Sequence, residues 1–214
     1  MPDSRVEPWL VTRFFDFFDV LVDLGVALFA LKLWLFPSPG DVGNILTFCF
    51  VMVVEFIMLH SGTMMAFARG FSRLLPLVFV PLYGLFILAF YLAANDSYVL
   101  WMYCFVVLMR ILGSAFVTDA AVLVRRFKCS FIQTFIYFFS LMIVVALCES
   151  IIPELGLTAP FLVSSGYREA AKDAYGLMPY KPHIALCAAV VYYSALAVFD
   201  FWVAKYPRKL EKPM

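Results

Sequence analysis

An all-α fold, a polytopic membrane bundle of six transmembrane helices with both termini cytoplasmic, is what this sequence predicts. Three observations predict it: the surplus of apolar residues, the lengths of the apolar runs, and the placement of lysine and arginine. Of 214 residues, 64% are hydrophobic and 14% charged. A soluble domain carries roughly a quarter charged residues and under half apolar ones, because its surface must be polar. A bilayer removes that demand. A β-barrel would alternate polar with apolar residues, which these runs do not do, and an open sheet edge cannot face lipid.

Six apolar runs come near the roughly 20 residues that cross about 30 Å of hydrocarbon. The first covers residues 14–36 and stops at Pro37-Ser38-Pro39-Gly40; the second covers 44–67. The third, 74–93, holds Pro76 and Pro81 in its opening turns. Pro81 has no N–H for the Leu77 carbonyl, so a kink is expected there. The fourth run, 98–124, follows the turn Asn95-Asp96-Ser97; the fifth is 129–147 and the sixth 184–203. The whole chain reads as a single membrane domain. No cleavable signal layout precedes the first run, which itself holds three aspartates, so it is kept as a helix.

Orientation follows from the cations. With the N-terminus inside, eleven lysines and arginines (Arg5, Arg13, Arg69, Arg73, Arg125, Arg126, Lys128, Lys205, Arg208, Lys209 and Lys212) fall on the cytoplasmic side. Only Arg168, Lys172 and Lys181 fall outside, all in the 149–183 loop. That asymmetry is the positive-inside pattern. Within the loop, Ser165 is read as the cap of a short surface helix through Tyr175, with Gly176 as its stop. A faint repeat, Arg69-Gly70-Phe71 against Arg125-Arg126-Phe127, is explained equally well by interfacial anchoring.

Charged groups at membrane depth are the informative residues, because each costs at least roughly 2.5–3.5 kcal/mol without a partner or water. Glu55 lies 14 residues before Arg69, and Arg110 lies 15 before Arg125, on helices running the same way. Both are then about 21–22 Å from their anchors, which predicts a Glu55–Arg110 ion pair. It serves either as a staple or as a gate. Gly62, Gly113 and Ser114 lie near the pair, and small residues let helices approach. Nearer the cytoplasm, Asp16, Asp19 and Asp23 share one helical face within about 60°. Asp119, Asp200 and His60 fall in roughly the same layer. Asp23 and Asp119 join Glu55, Arg110 and His60 as candidates for a proton or transport path. Asp16, Asp19 and Asp200 form a peripheral acidic layer, where interfacial solvation is the competing explanation.

No HExxH, GxSxG or glycine-rich phosphate loop is present, so an enzyme is the less favoured class. The five cysteines make no CxxC pair; Cys148 and Cys187 leave one outer-side disulfide open against the usual role of buried cysteine as a small hydrophobe. His60 and Met64, one turn apart, are the candidates for a soft metal, but nothing completes their ligand set. Cofactors are not indicated. A net charge of +1 gives no field for nucleic acid. The lipid bilayer is the expected partner, in a bacterial inner membrane or its equivalent, with a homo-oligomer or a larger membrane complex open. The expected function is translocation of a small solute, proton or cation through these groups. A non-catalytic structural or assembly subunit, and a membrane-embedded metal-dependent enzyme, are the alternatives.

Overall fold

Four long helices and a folded loop hold the residues that matter here. The computed structural model describes residues 8–69, 71–72, 75–94, 101, 104, 120–147 and 151–206. Among these the chain is helical, without a strand. Helix α1 spans Pro8–Leu35, α2 Val42–Arg69, α3 Pro76–Ala94 and α4 Ala120–Leu147. Three short helices follow: α5 (Ala159–Ser164), α6 (Tyr167–Ala170) and α7 (Leu177–Tyr180). The last long helix, α8, spans Pro182–Lys205.

Proline sets several of these limits. Helices α1, α3 and α8 each open on one, at Pro8, Pro76 and Pro182. There its fixed φ suits the first turn and its missing N–H would have no helical partner anyway. Pro37 ends α1, because the residue before a proline is driven out of the α region. Helix α3 runs on through Pro81.

Among the described residues, three stretches are long and apolar enough to cross a membrane: Pro39–Met65, Phe127–Leu147 and Pro182–Lys205. The outside of the bundle is apolar as well. Leu21, Leu28, Leu85, Phe139 and Val198 are each more than half exposed. Lipid solvates such a surface, whereas water would drive it to aggregate.

Helix α8 is the hub. It packs most extensively along α1 and also touches α2 and α4, while α3 packs on α2. Residues Ile184, Ala185, Leu186, Ala188 and Ala189 of α8 are fully buried, as are Ala30 and Leu33 of α1. Alanine on both helices permits close approach without a hydrophobic force between them.

Residues 151–181 close one end of the bundle, hereafter the capped end. Trp34 of α1 donates through Nε1 to the Pro153 carbonyl oxygen at 3.1 Å, and its own carbonyl oxygen accepts from the Gly156 N–H at 3.0 Å. A Cβ on Gly156 would sit 2.2 Å from Pro37 Cδ and 2.8 Å from the Leu35 carbonyl oxygen, so only glycine fits. Leu157, Leu162 and Tyr167 are buried beneath the loop. Tyr167 donates to the Pro179 carbonyl oxygen at 3.0 Å, and the Cys49 thiol of α2 donates to that of Met178 at 3.4 Å. Burial pushes the Tyr167 phenol well above its ordinary pKa, so it stays a neutral donor. The turn between α1 and α2 is pinned by Asp41. One of its oxygens accepts from Lys32 Nζ at 2.5 Å, Ser38 Oγ at 2.7 Å and the Ser38 N–H at 2.8 Å.

Three expectations change. The basic cluster 125–128 does not separate two helices, because α4 starts at Ala120 and passes unbroken through it. Arginine and lysine are good helix formers, and long basic side chains reach the surface without a chain break. Of the helix expected from Ser165 to Tyr175 only the single turn Tyr167–Ala170 is helical, with the short helices α5 and α7 on either side of it. Ser165 is the C-terminal cap of α5, and Gly176, at φ +113°, precedes α7 rather than ending a helix. Cys187 is a free, buried thiol. Other long helices differ from the expected limits by a few residues, α1 by six at its start.

Candidate functional site

Polar side chains from α1, α2, α4 and α8 meet inside the bundle. The 192–200 stretch of α8 organises them. Tyr193 and Asp200 are seven residues apart, about 20° from one another around the axis and about 10.5 Å along it. Tyr192 lies 100° to one side. An α-helix in this register therefore presents a tyrosine level and a carboxyl level to its neighbours.

At the tyrosine level, Tyr192 is fully buried and donates to Glu55 Oε1 of α2 at 3.0 Å. Tyr137 of α4, also buried, donates to the Met52 carbonyl oxygen. The Tyr137 and Tyr192 rings meet edge to face, with centroids 5.2 Å apart and planes at 84°. Such pairs add roughly 0.5–1.5 kcal/mol to what their burial gives. Tyr193 packs against Tyr192 at 4.7 Å and is itself buried.

Two turns along α8, at the carboxyl level, Gln133 Nε2 of α4 donates to Asp200 Oδ1 at 3.3 Å. Asp23 of α1 is 91% buried. Asp200, Asp19 and Glu55 are all near enough to act on it electrostatically. Asp23 Oδ2 is sealed from solvent and has no hydrogen-bond partner. A buried carboxyl oxygen left unpaired costs on the order of 1–3 kcal/mol, more when charged, so this position is destabilising for the fold. Asp19, one turn from Asp23 towards the far end of the bundle, is exposed.

The groups therefore form a ladder from the far end: Asp19, then Asp23 with Asp200, then Glu55, then the tyrosines. Beyond the tyrosines, towards the cap, the interior is apolar and includes Ile45, Met52, Ile184 and Ala188.

Comparison with protein-family models, with curated proteins and with solved structures yields no match. The site must be read from its own geometry.

Several sequence candidates meet and others do not. Asp23 and Glu55 come together as a path would need, and Asp200, expected at the periphery, joins them. Asp16 lies on α1, and Asp19 sits at the exposed edge. His60 stays with its own helix. Its Nδ1 lies 3.1 Å from the Phe56 carbonyl oxygen and its ring packs on Phe56 at 4.2 Å. Met64 is 41% exposed. Among the described residues no three His, Cys, Asp or Glu side chains are placed to hold one metal ion. Arg110 and Asp119 lie outside the described residues, so the Glu55–Arg110 pair remains an expectation; what is described is the bond from Tyr192 to Glu55.

Gln133, Tyr137, Tyr192 and Tyr193 were not singled out from the sequence. Gln133 carried a signal, being an amide within an apolar run. The tyrosines carried a weaker one, because tyrosine is also the residue of membrane interfaces.

Proposed function

We propose that this chain is a six-span membrane protein with both termini cytoplasmic, which translocates a proton or small cation. Asp200, Asp23 and Glu55 form its path. Arg110, on the proposed fourth span, faces Glu55 as a gate. The asymmetry of lysine and arginine supports the orientation, and it puts the far end of the ladder, with Asp19 and Lys205, on the cytoplasmic side.

One observation carries the reading: Asp23 is buried with an unpartnered carboxyl oxygen beside two further carboxyl groups from α2 and α8. Ionisable groups at such depth are expensive and face a pathway or a partner. A purely structural role is served better by apolar residues of similar volume, which often match or exceed a buried polar cluster in stability.

The test is flux. The full chain is reconstituted in liposomes enclosing a pH-sensitive dye, and a potassium–valinomycin gradient supplies the driving potential. Wild-type protein is expected to acidify or alkalinise the lumen according to the sign of the potential. Asp23→Asn should reduce the rate to that of protein-free vesicles while eluting as the same monodisperse species. Wild-type flux equal to that of empty vesicles, under proton and cation gradients alike, would remove the proposal.

A second reading, a non-catalytic subunit of a membrane complex, is favoured by one surface. A shallow groove of about 450 Å³ runs along α4 and α8, lined by Phe131, Phe135, Phe139, Ile143 and Ala195. Its lining is apolar, as a helix from another chain would need, and crosslinking in native membranes separates the two readings.

A further inference from the structure

The capped end carries large apolar side chains that the bundle does not bury. The Gly156 N–H donates to the Trp34 carbonyl oxygen at 3.0 Å, and its backbone lies against Pro37 and Leu35. Phe36 and Leu155 therefore flank one contact at the end of α1, and both are exposed. At the end of α4 the Ile151 N–H donates to the Leu147 carbonyl oxygen at 3.1 Å, and the Ile151 side chain is exposed. Just before α8, Tyr180 is exposed too. Arg168 Nη1 donates to the Tyr180 carbonyl oxygen at 2.9 Å, and its guanidinium lies 5.2 Å from the Tyr180 ring centroid. The ends of α1, α4 and α8 thus share an apolar and aromatic rim.

Leu155 holds φ +50°, and among the described residues no other residue with a Cβ has a positive φ. A Cβ crowds the backbone in that region, so glycine or asparagine is the residue expected there. Glycine stands next in the chain, yet the strained position is leucine. The turn is held by the bond from the Leu157 N–H to the Glu154 carbonyl oxygen, 3.0 Å, and by the anchorage of Gly156. With its side chain exposed, Leu155 does not offset the strain by burial within the chain, and strain kept in this way points to what the side chain meets. The adjoining surface tells what that is. Leu28 and Leu35 of α1, and Ile143 and Leu147 of α4, are exposed apolar residues leading along the bundle to the rim. The rim continues the surface that lipid solvates, and tyrosine and arginine are residues of the membrane–water boundary. We propose that Phe36, Ile151 and Leu155 insert into the lipid leaflet at the capped end, where acyl chains meet headgroups, with Tyr180 and Arg168 at headgroup level. The partner of the cap is the bilayer, and this placement holds whether or not the chain translocates an ion. The segment holding Glu169, Lys172 and Asp173, all exposed, faces water.

Tryptophan quenching on the full chain in liposomes tests the placement. Leu155→Trp and Ala170→Trp are each reconstituted in phosphatidylcholine brominated at the acyl carbons nearest the headgroup, and in the unbrominated lipid. Wild-type emission is subtracted, so that the added indole alone is read. Leu155→Trp should lose intensity in the brominated lipid and emit to the blue of Ala170→Trp, which should lose intensity to aqueous acrylamide instead. Phe36→Trp reads the same rim away from the strained φ and should behave as Leu155→Trp does, so it decides the question should Leu155→Trp not fold. An indole at either rim position that is open to acrylamide and untouched by the brominated lipid overturns the proposal. An indole shielded from both quenchers overturns it as well, because protein, whether a second copy or another chain, then covers the rim.

Discussion

Gly156→Ala probes the junction that closes the capped end. The added Cβ would lie 2.2 Å from Pro37 Cδ and 2.8 Å from the Leu35 carbonyl oxygen. Neither neighbour is the free end of a flexible chain. One belongs to a proline ring with fixed φ, the other to backbone at the last turn of α1. Relief therefore requires the 153–157 segment to lift. Overpacking of this kind costs about 1–3 kcal/mol, and lifting also lengthens the 3.0 Å bond from Gly156 N–H to the Trp34 carbonyl, worth about 0.5–1.5 kcal/mol. Together these give about 2–4 kcal/mol. At roughly 2–4 °C per kcal/mol for a chain of this size, the melting temperature should fall by roughly 5–15 °C. Thermal unfolding in detergent, followed by tryptophan fluorescence, reads the change. Trp34 lies in the perturbed contact, so its emission should also move at temperatures well below the transition. An unchanged melting temperature together with unchanged emission would show that the loop does not press on the end of α1 as described.

Two further predictions concern charges. Asp41 Oδ2 accepts from Lys32 Nζ and from two Ser38 donors, and Asp41→Asn removes the charge that strengthens all three bonds. The variant should therefore be less stable than wild type. Lys32 is 46% exposed, so the ion pair itself should contribute no more than roughly 1 kcal/mol; paired melts measure the loss, and identical curves would count against the contact. For the expected ion pair, Glu55→Gln and Arg110→Gln should show a coupling of at least about 0.5 kcal/mol in a double-mutant cycle of chemical unfolding. Strictly additive effects would remove the Glu55–Arg110 pair.

Much of the helical layout was legible because it depends on local rules. Apolar run length marks Pro182–Lys205, and proline at the first helical position marks its start. The 125–128 cluster has the charge of a chain break, yet arginine and lysine extend a helix readily, and α4 passes through it. The cap was illegible for another reason. Tyr167 and Leu157 are ordered by contacts with α1, α2 and α7, and no local pattern in 151–181 encodes those. At the site, intramembrane cost points to Asp23 and Glu55, while the tyrosine that bonds Glu55 carries no charge and so leaves no mark in the charge pattern; Arg110, the partner that the charge pattern gives, lies outside the described residues.

The direction of the ladder bears on how a proton would be moved. At its far end Asp19 is exposed, one turn from Asp23, so the first carboxyl is reached without a deep cavity. At its other end the tyrosines abut apolar packing, and the cap above is tied to α1 by Trp34 and Gly156 and to α2 by Cys49. On the proposed translocation reading, a proton entering from the Asp19 side would reach Glu55 along polar groups and stop. Onward transfer requires a second arrangement in which Glu55 leaves Tyr192 for another partner. Arg110 is the group that the sequence offers for that exchange. The cost of holding Asp23 unpaired favours any arrangement that gives its oxygen a donor, and on the proposed reading that cost would favour the exchange.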